Sequence, residues 1–109
     1  ALEGTDTAPD ATGRAQVYLT GTGQLLVITV WNMPPLADGR HVYQAWLVDE
    51  NRRTSAGVFR VDPMGRGTVI YRAGPDVRFD GIGVTLEPDP YGESPRGQRI
   101  LAGSGEQPR

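Results

Sequence analysis

The side chains that could do chemistry in this chain are one histidine and a few neighbouring carboxylates. His41 is the only histidine, which excludes a metal site built from several imidazoles, and we expect it at the surface where a strand begins. Asp49 and Glu50 are two adjacent carboxylates, and a pair of carboxylates could serve a glycosidase. A glycosidase also needs a deep cleft, which a chain of 109 residues hardly supplies. The residue types therefore favour a protein that is not an enzyme.

A second group of carboxylates, Glu87, Asp89 and Glu93, approaches the spacing of a calcium loop. The approach is weak, because such a loop needs three or more oxygen ligands at short alternating spacing. The chain has no cysteine, so disulfides, thiolate metal sites and a cysteine nucleophile are excluded. The glycine patterns at 21–23 and 64–67 lack the spacing of a phosphate-binding loop. We therefore predict no metal and no cofactor.

The charge and hydropathy of the chain limit its partners. The formal net charge is −2 and the basic residues form no block, which argues against a surface that follows nucleic-acid phosphates. The longest apolar run is residues 25–31, far below the roughly 20 residues that cross a bilayer. We expect no nucleic-acid partner and no direct membrane contact by these residues.

Two polar residues, Gln44 and Glu87, stand on segments that are otherwise apolar. An unpaired amide or carboxylate there would cost about 1–3 kcal/mol or more. Pro88 biases Glu87 toward an extended backbone, which directs the carboxylate toward the loop at 88–98. We predict that Glu87 organises this loop by accepting hydrogen bonds. The candidate donors are the loop backbone, the hydroxyls of Thr85 and Ser94, the Gln44 amide and the Arg96 guanidinium.

The elements that must position these residues are short strands. Fifteen glycines and nine prolines favour short extended segments joined by tight turns. Alternating or two-sided apolar patterns predict strands at 14–20, 24–32, 41–50, 55–61, 68–72, 79–87 and 99–103. Five to seven such strands are typical of a β-sandwich or a small barrel. We predict an all-β fold, a small antiparallel β-sandwich of about six to seven strands that follow one another as a meander of hairpins.

The ends of the chain differ in composition from its middle. Residues 1–12 are small, polar and acidic, which is typical of a flexible arm. We place the domain at residues 13–104 and predict a disordered tail at 105–109.

The aromatic residues support a second hypothesis, a sugar-binding surface. We expect Tyr43 and Trp46 to fill opposite sides of a central strand, with Trp46 buried. The exposure of Trp31, Tyr71 and Tyr91 separates the hypotheses, because a sugar platform needs at least two coplanar exposed rings.

Residues 42–67 and 83–103 also carry an ordered set of short motifs. These are Tyr-Gln-x-Trp-Leu at 43–47, Ser-Ala-Gly-x-Phe at 55–59, Asp-x-x-Gly at 62–65, Val-Thr-x-Glu-Pro at 84–88, and then Gly92, Ser94 and Pro95. Their order and spacing resemble the C-terminal domain of the anti-sigma-K factor family over roughly residues 14–103. The residues that carry the resemblance are Tyr43, Gln44, Trp46, Gly57, Phe59, Glu87 and Pro88. The chain departs from the family pattern at Ala45, where a larger apolar residue is common, and in its more acidic loop.

The resemblance implies a regulatory function without catalysis. Members of the family bind an extracytoplasmic-function sigma factor through a cytoplasmic segment, cross the bacterial membrane once and place their C-terminal domain outside. The chain is expected to be that outer domain alone, with the sigma-binding segment absent and residues 1–12 as a juxtamembrane linker. Its expected role is control of regulated proteolysis, with the loop at 88–98 as the contact for a protease or envelope partner. The alternative is a carbohydrate- or cell-wall-binding β-sandwich module.

Overall fold

The computed structural model describes residues 1–36, 38–50 and 52–104, and within these ranges it contains strands and turns but no helix. Eight strands follow one another along the chain. They are β1 (Leu2–Gly4), β2 (Thr12–Thr20), β3 (Gly23–Trp31), β4 (Val42–Asp49), β5 (Arg52–Phe59), β6 (Gly67–Ala73), β7 (Gly81–Glu87) and β8 (Arg99–Ser104). The prediction of an all-β fold is confirmed, and the seven predicted strands correspond to β2 through β8.

All eight strands belong to one antiparallel sheet with the order β5-β4-β7-β8-β1-β2-β3-β6. The two end strands, β5 and β6, lie against each other, so the sheet curls into a nearly closed barrel. The predicted sandwich of six to seven strands is therefore wrong in detail. Alternation of apolar and polar residues identifies the face that is buried, and both a sandwich and a curled sheet bury one face of each strand.

The predicted meander of hairpins is only partly right. The pairs β2–β3 and β4–β5 are hairpins of consecutive strands, whereas β3 pairs with β6 and β4 pairs with β7. The prolines at 34 and 35 follow β3, and because proline lacks an N–H group they stop the ladder before β4 begins. The chain thus crosses to the other half of the sheet between β3 and β4.

The first strand lies inside the sheet, in contrast to the flexible arm that we expected at residues 1–12. β1 pairs with β2 on one side and with β8 on the other. Leu2 is fully buried, and Ala8 and Ala11 are buried as well. Isolated apolar residues within a polar segment give no periodic signal, so the domain boundary at residue 13 was placed too late. The predicted tail at 105–109 lies outside the described residues.

The inner face of the curled sheet forms the hydrophobic core. It combines alternate residues of the central strands, including Leu26 and Ile28 of β3, Tyr43 of β4, and Ile82 and Val84 of β7. A register shift in β4–β5 falls between Ala45 and Trp46, and another in β7–β8 falls between Val84 and Thr85. These bulges bend the sheet. The other alternate residues of β4 and β7 point to the outer face, where the polar site lies.

Candidate functional site

The residues that carry the family resemblance divide between the two faces of the sheet. Tyr43 and Phe59 belong to the core, with ring centroids 5.8 Å apart. Gln44, Trp46 and Glu87 belong to the outer face, yet their exposed fractions are 2%, 1% and 0%. An outer face of a sheet normally meets water, so these three side chains must be covered by something outside the sheet. The loop at 88–98 is that cover.

Gly57 and Pro88 serve the backbone around this site. Gly57 has a φ of 127°, a conformation that side chains other than glycine's rarely adopt. A Cβ at this position would also lie 2.9 Å from Cγ2 of Val69, so the glycine lets β5 approach β6. Pro88 is exposed and follows the last residue of β7, where it ends the strand.

A chain of hydrogen bonds links the indole of Trp46 to the carboxylate of Glu87. The indole Nε1–H donates to the Thr85 hydroxyl at 2.8 Å, and this hydroxyl donates to Oε2 of Glu87 at 2.7 Å. Thr85 thereby uses its acceptor and its donor within one buried cluster. The ring and the carboxylate are held in one fixed arrangement.

Glu87 is the point at which the loop attaches to the sheet. Its carboxylate accepts hydrogen bonds from the backbone N–H of Gly97 at 3.0 Å and of Arg96 at 3.2 Å. The guanidinium Nε of Arg96 donates to Oε1 at 3.2 Å. Burial by itself raises the pKa of Glu87, and the hydrogen bonds from Thr85, Gly97 and Arg96 together outweigh it and lower the pKa below its ordinary value. The carboxylate is therefore ionised at neutral pH although no part of it is exposed.

Of the donors that we predicted for Glu87, the structure shows the loop backbone, the Thr85 hydroxyl and the Arg96 guanidinium. The hydroxyl of Ser94 and the amide of Gln44 do not donate to it. The Gln44 amide instead donates to the Ser55 hydroxyl at 2.8 Å and to the carbonyl of Gly92 at 3.3 Å. Gln44 thus holds the loop at a second point. Its carbonyl oxygen Oε1 is buried and accepts no hydrogen bond from the described residues.

Arg96 also ties the two ends of the loop to each other. Besides contacting Glu87, it donates from Nη2 to Oδ1 of Asp89 at 2.8 Å, and the pKa of Asp89 is lowered chiefly by this interaction. A Cβ at Gly92 would lie 2.6 Å from Nε of Arg96, so a larger residue there would displace the guanidinium. A Cβ at Gly97 would collide with the carbonyl of Leu86. The Asp89–Arg96 pair was missed by sequence reasoning, although opposite charges seven residues apart in one loop are a signal for it.

His41 belongs to a separate, exposed cluster before β4. Its Nδ1 lies 2.8 Å from Oδ2 of Asp38, while Oδ1 of Asp38 accepts the backbone N–H groups of Arg40 and His41. These backbone hydrogen bonds, with that of His41 first, lower the pKa of Asp38 to about 2. Arg60 donates to the main-chain carbonyls of His41 and Asp38. The histidine lies at the surface where a strand begins, as predicted, and it takes part in fixing a turn.

The other candidate chemistry finds little support in the geometry. Within the described ranges no three histidine or acidic side chains are placed to hold one metal ion. Of the three rings that would decide for a sugar platform, Tyr91 is 83% exposed, while Trp31 and Tyr71 are half-buried and lie on different strands. Among the described residues there is no helix with the length and apolar character that crossing a membrane requires.

A comparison with known protein families gives a match over most of the chain. The family model described as "Anti-sigma-K factor rskA, C-terminal" matches residues 2–99. This range includes β1, the hydrogen-bonded residues Trp46, Thr85 and Glu87, and the loop at 88–98. No curated protein and no solved structure matches the chain.

Proposed function

The chain belongs to the family of anti-sigma-K factor C-terminal domains, and from this premise we propose that it is the extracytoplasmic regulatory domain of a membrane-anchored anti-sigma factor. Membership implies a sigma factor as the partner of the whole regulator. In the proposal the domain is not catalytic, and it controls an extracytoplasmic-function sigma factor by setting how readily the regulator is proteolysed. The observation that carries the proposal is the family match, which extends over residues 2–99.

The geometry of the loop at 88–98 supports a regulatory contact for a protease or an envelope partner. The loop covers the outer face of the sheet and is held by Glu87 and Gln44 from below. Tyr91 projects from it, 83% exposed, while its backbone N–H is bound by Asp89 at 2.9 Å. An exposed aromatic ring on a loop held in one conformation is well suited to a protein contact, because little entropy is lost on binding.

The state of the polar residues supports a role without catalysis. Glu87 is ionised, buried and bound by four donor groups, so it has no free lone pair facing solvent. Asp89 is paired with Arg96, and His41 is paired with Asp38. A general acid or base must reach a substrate proton, whereas these groups are occupied by the protein itself.

The proposed location can be tested by labelling, because the chain has no cysteine. Thr22→Cys places a single thiol at an exposed turn between β2 and β3. In cells that produce the full-length regulator, we expect a membrane-impermeant maleimide to label this thiol without lysis, and the same regulator without the substitution is the control for cysteines outside these residues. Labelling only after the cells are lysed would place the domain on the cytoplasmic side and contradict the proposal.

The proposed control of proteolysis is tested in the same cells with a reporter for the sigma factor. Replacing residues 89–94 with a Gly-Ser linker removes the contact surface, and Glu87→Gln loosens it. We expect both changes to alter the amount of intact regulator on an immunoblot and the reporter signal together. The matched control is Thr68→Ser, an exposed position of β6. Unchanged cleavage and reporter signals in both variants would remove the loop from the regulatory mechanism.

A further inference from the structure

A cavity of about 310 Å³ lies on the outer face of the sheet, beside the Trp46–Thr85–Glu87 chain. Its size is at the lower end of the range for ligand sites, and its walls are mostly apolar, as such sites require. The residues that form it come from β4, β5, β7, β8 and the covering loop. Those that matter for its shape are Trp46, Val48, Gly81, Gly83, Pro95 and Ala102. We call this cavity the outer trough.

The floor of the outer trough is glycine where packing does not demand glycine. Gly81 and Gly83 are alternate residues of β7, opposite Val48 and Trp46 of β4. A Cβ at Gly83 would have only the Leu101 carbonyl within 4 Å, at 3.8 Å, and Gly83 has no positive φ. Glycine weakens a strand interior and often marks a place where another group approaches the backbone closely. The space above Gly83 is therefore room for something outside the sheet.

The outer trough is positively charged at both ends. Arg53 pairs with Val48 at the Gly81 end, and Arg99 pairs with Thr85 at the other end. Neither arginine forms an ion pair with a described residue, and Arg53 donates only to two main-chain carbonyls at 3.3 Å. The described lining includes no aspartate or glutamate. Unlike Arg96, which is paired, these two guanidinium groups are available for an anion.

We propose that the outer trough binds an extended peptide segment of a partner protein that carries two acidic side chains. Gly81 and Thr85 are four residues apart in β7, which corresponds to about 13 Å along a strand. Arg53 and Arg99 also lie three strand spacings apart in the sheet, which adds about 14 Å across the strands. An extended peptide that runs diagonally over the trough, with carboxylates at positions i and i+4, covers most of this separation, and the long arginine and glutamate side chains reach over the rest. Each guanidinium group can bind one carboxylate in a forked geometry. The residues between the carboxylates lie over the glycine floor and against the covering loop.

Binding in the outer trough would act on the covering loop, since Pro95 and Gly97 of that loop line the trough. The backbone N–H of Gly97 is one of the donors to Glu87. A bound peptide would therefore rest against the segment that Glu87 holds and would protect the loop from proteolysis. This inference deepens the proposed regulatory role, on which it rests for its biological meaning, by naming the chemistry of the partner.

The test is an NMR titration of the 109-residue chain with the acetylated and amidated peptide Glu-Val-Thr-Val-Glu. We expect shifts of the amide resonances of Gly81, Gly83 and Gly103 and of the Trp46 indole N–H. The matched peptide Gln-Val-Thr-Val-Gln should bind more weakly by about tenfold or more, because both charge-assisted hydrogen bonds are lost. Raising the salt concentration should weaken the binding of the acidic peptide and leave the binding of the neutral peptide unchanged.

Variants of the chain assign the binding to the outer trough. Arg53→Gln and Arg99→Gln should each lower the affinity for the acidic peptide by about fivefold to tenfold. The control is Arg14→Gln, an exposed change in β2, which should leave the affinity unchanged. Gly83→Ala should fold, because the added methyl group meets no atom closer than 3.8 Å, and should weaken binding by filling the floor. Each variant is first checked for an unchanged spectrum away from the trough.

Three results would overturn the proposal: no shift at the trough residues, equal affinity for the glutamate and glutamine peptides, or full affinity in both arginine variants. Inorganic phosphate that displaces the peptide at an equal concentration would also overturn it, because the trough would then be a simple anion site. These measurements use the chain alone, whereas the regulatory role is tested by reporter and cleavage in cells. Peptide binding together with unchanged cleavage and reporter signals in the loop variants would support the trough and reject the regulatory role. No peptide binding together with altered signals in those variants would reject only the trough.

Discussion

Asp38 and Glu87 each hold a loop by accepting backbone N–H groups from it, but Asp38 is exposed and Glu87 is fully buried. Asp38 accepts from Arg40 and His41, and Glu87 accepts from Arg96 and Gly97. An arginine completes both arrangements. Arg60 donates to main-chain carbonyls of the first loop, and Arg96 donates directly to the buried carboxylate in the second.

The same kinds of donor stabilise both loops, but the cost of losing one donor depends on whether the carboxylate is exposed or buried. Water can replace a lost donor at Asp38, so the loop before β4 keeps much of its structure when one interaction is removed. Water has no access to Glu87, and a change there leaves donors without a partner inside the protein. The loop at 88–98 should therefore depend on its carboxylate far more than the loop before β4 does.

The largest effect is expected from Trp46→Ala, which removes a buried ring beneath the loop at 88–98. The ring is 1% exposed and its indole N–H donates to the Thr85 hydroxyl, so the change leaves a cavity and removes this donor, while the hydroxyl keeps its hydrogen bond to Glu87. We expect a loss of about 3–5 kcal/mol in the free energy of unfolding, measured by urea denaturation. Trp31→Ala is the matched control, since that ring is half-buried, and it should cost less. A loss under about 1 kcal/mol at Trp46 would show that the ring is peripheral to the domain.

The next largest effect is expected from Glu87→Gln. The side chain keeps its size but loses its charge, and its NH2 group turns one acceptor into a donor that faces other donors. We expect a loss of about 2–3 kcal/mol and faster cleavage within residues 88–98 in limited proteolysis. Glu93→Gln, an exposed change in the same loop, serves as the control. Equal stability and equal cleavage in wild type and Glu87→Gln would show that the buried Glu87 matters no more to its loop than the exposed Asp38 does to the loop before β4.

The pH dependence of stability should separate the two carboxylates. Because the pKa of Glu87 is lowered in the folded state from its ordinary value of 4.5, its contribution to stability is complete above that value and is lost as the pH falls through the folded pKa. The pKa of Asp38 is also lowered, to about 2, but its carboxylate is exposed and solvent screens its interactions, so it should add little to stability at any pH. We expect the difference in unfolding free energy between wild type and Glu87→Gln to shrink when the pH is lowered from 6 toward 3. A difference that stays constant over this range would contradict a lowered pKa at Glu87.

The smallest effect is expected from Asp38→Asn. The asparagine carbonyl can still accept the N–H groups of Arg40 and His41, and the site is open to solvent. We expect no change in urea denaturation beyond the error of the measurement. The NMR resonances of His41 should shift, because its partner loses the charge. A large loss of stability would show that burial does not explain the difference between the two loops.

The sequence contained enough information for most of the strands and for one of these two loops. Alternation marked β2 through β8, and Pro88 indicated where the Glu87 carboxylate would turn. The pairing of β3 with β6 could not be predicted, because any neighbour would have buried the same apolar face. β1 was missed since a three-residue strand has too few positions to show a period.

The chemistry of the outer face was predicted less completely than its location. Gln44 and Glu87 were recognised as polar residues that need partners, but the role of Thr85 between Trp46 and Glu87 depends on the register of β4 against β7. The outer trough depends on Arg53 and Arg99, which come from two different strands. Contacts of this kind are fixed by strand order, and strand order was the part that alternation left open.

The position of β1 gives the domain a mechanical weak point. β1 lies between the half-sheets β5-β4-β7-β8 and β2-β3-β6, and its three residues provide the hydrogen-bonded connection between them in the described structure. Tension on the backbone at Ala1 would reach this strand before any other. Peeling it away would open the nearly closed barrel along one seam, while the ladders within each half and the contact between β5 and β6 stayed in place. A pulling force on this end would therefore open the domain without first unfolding either half.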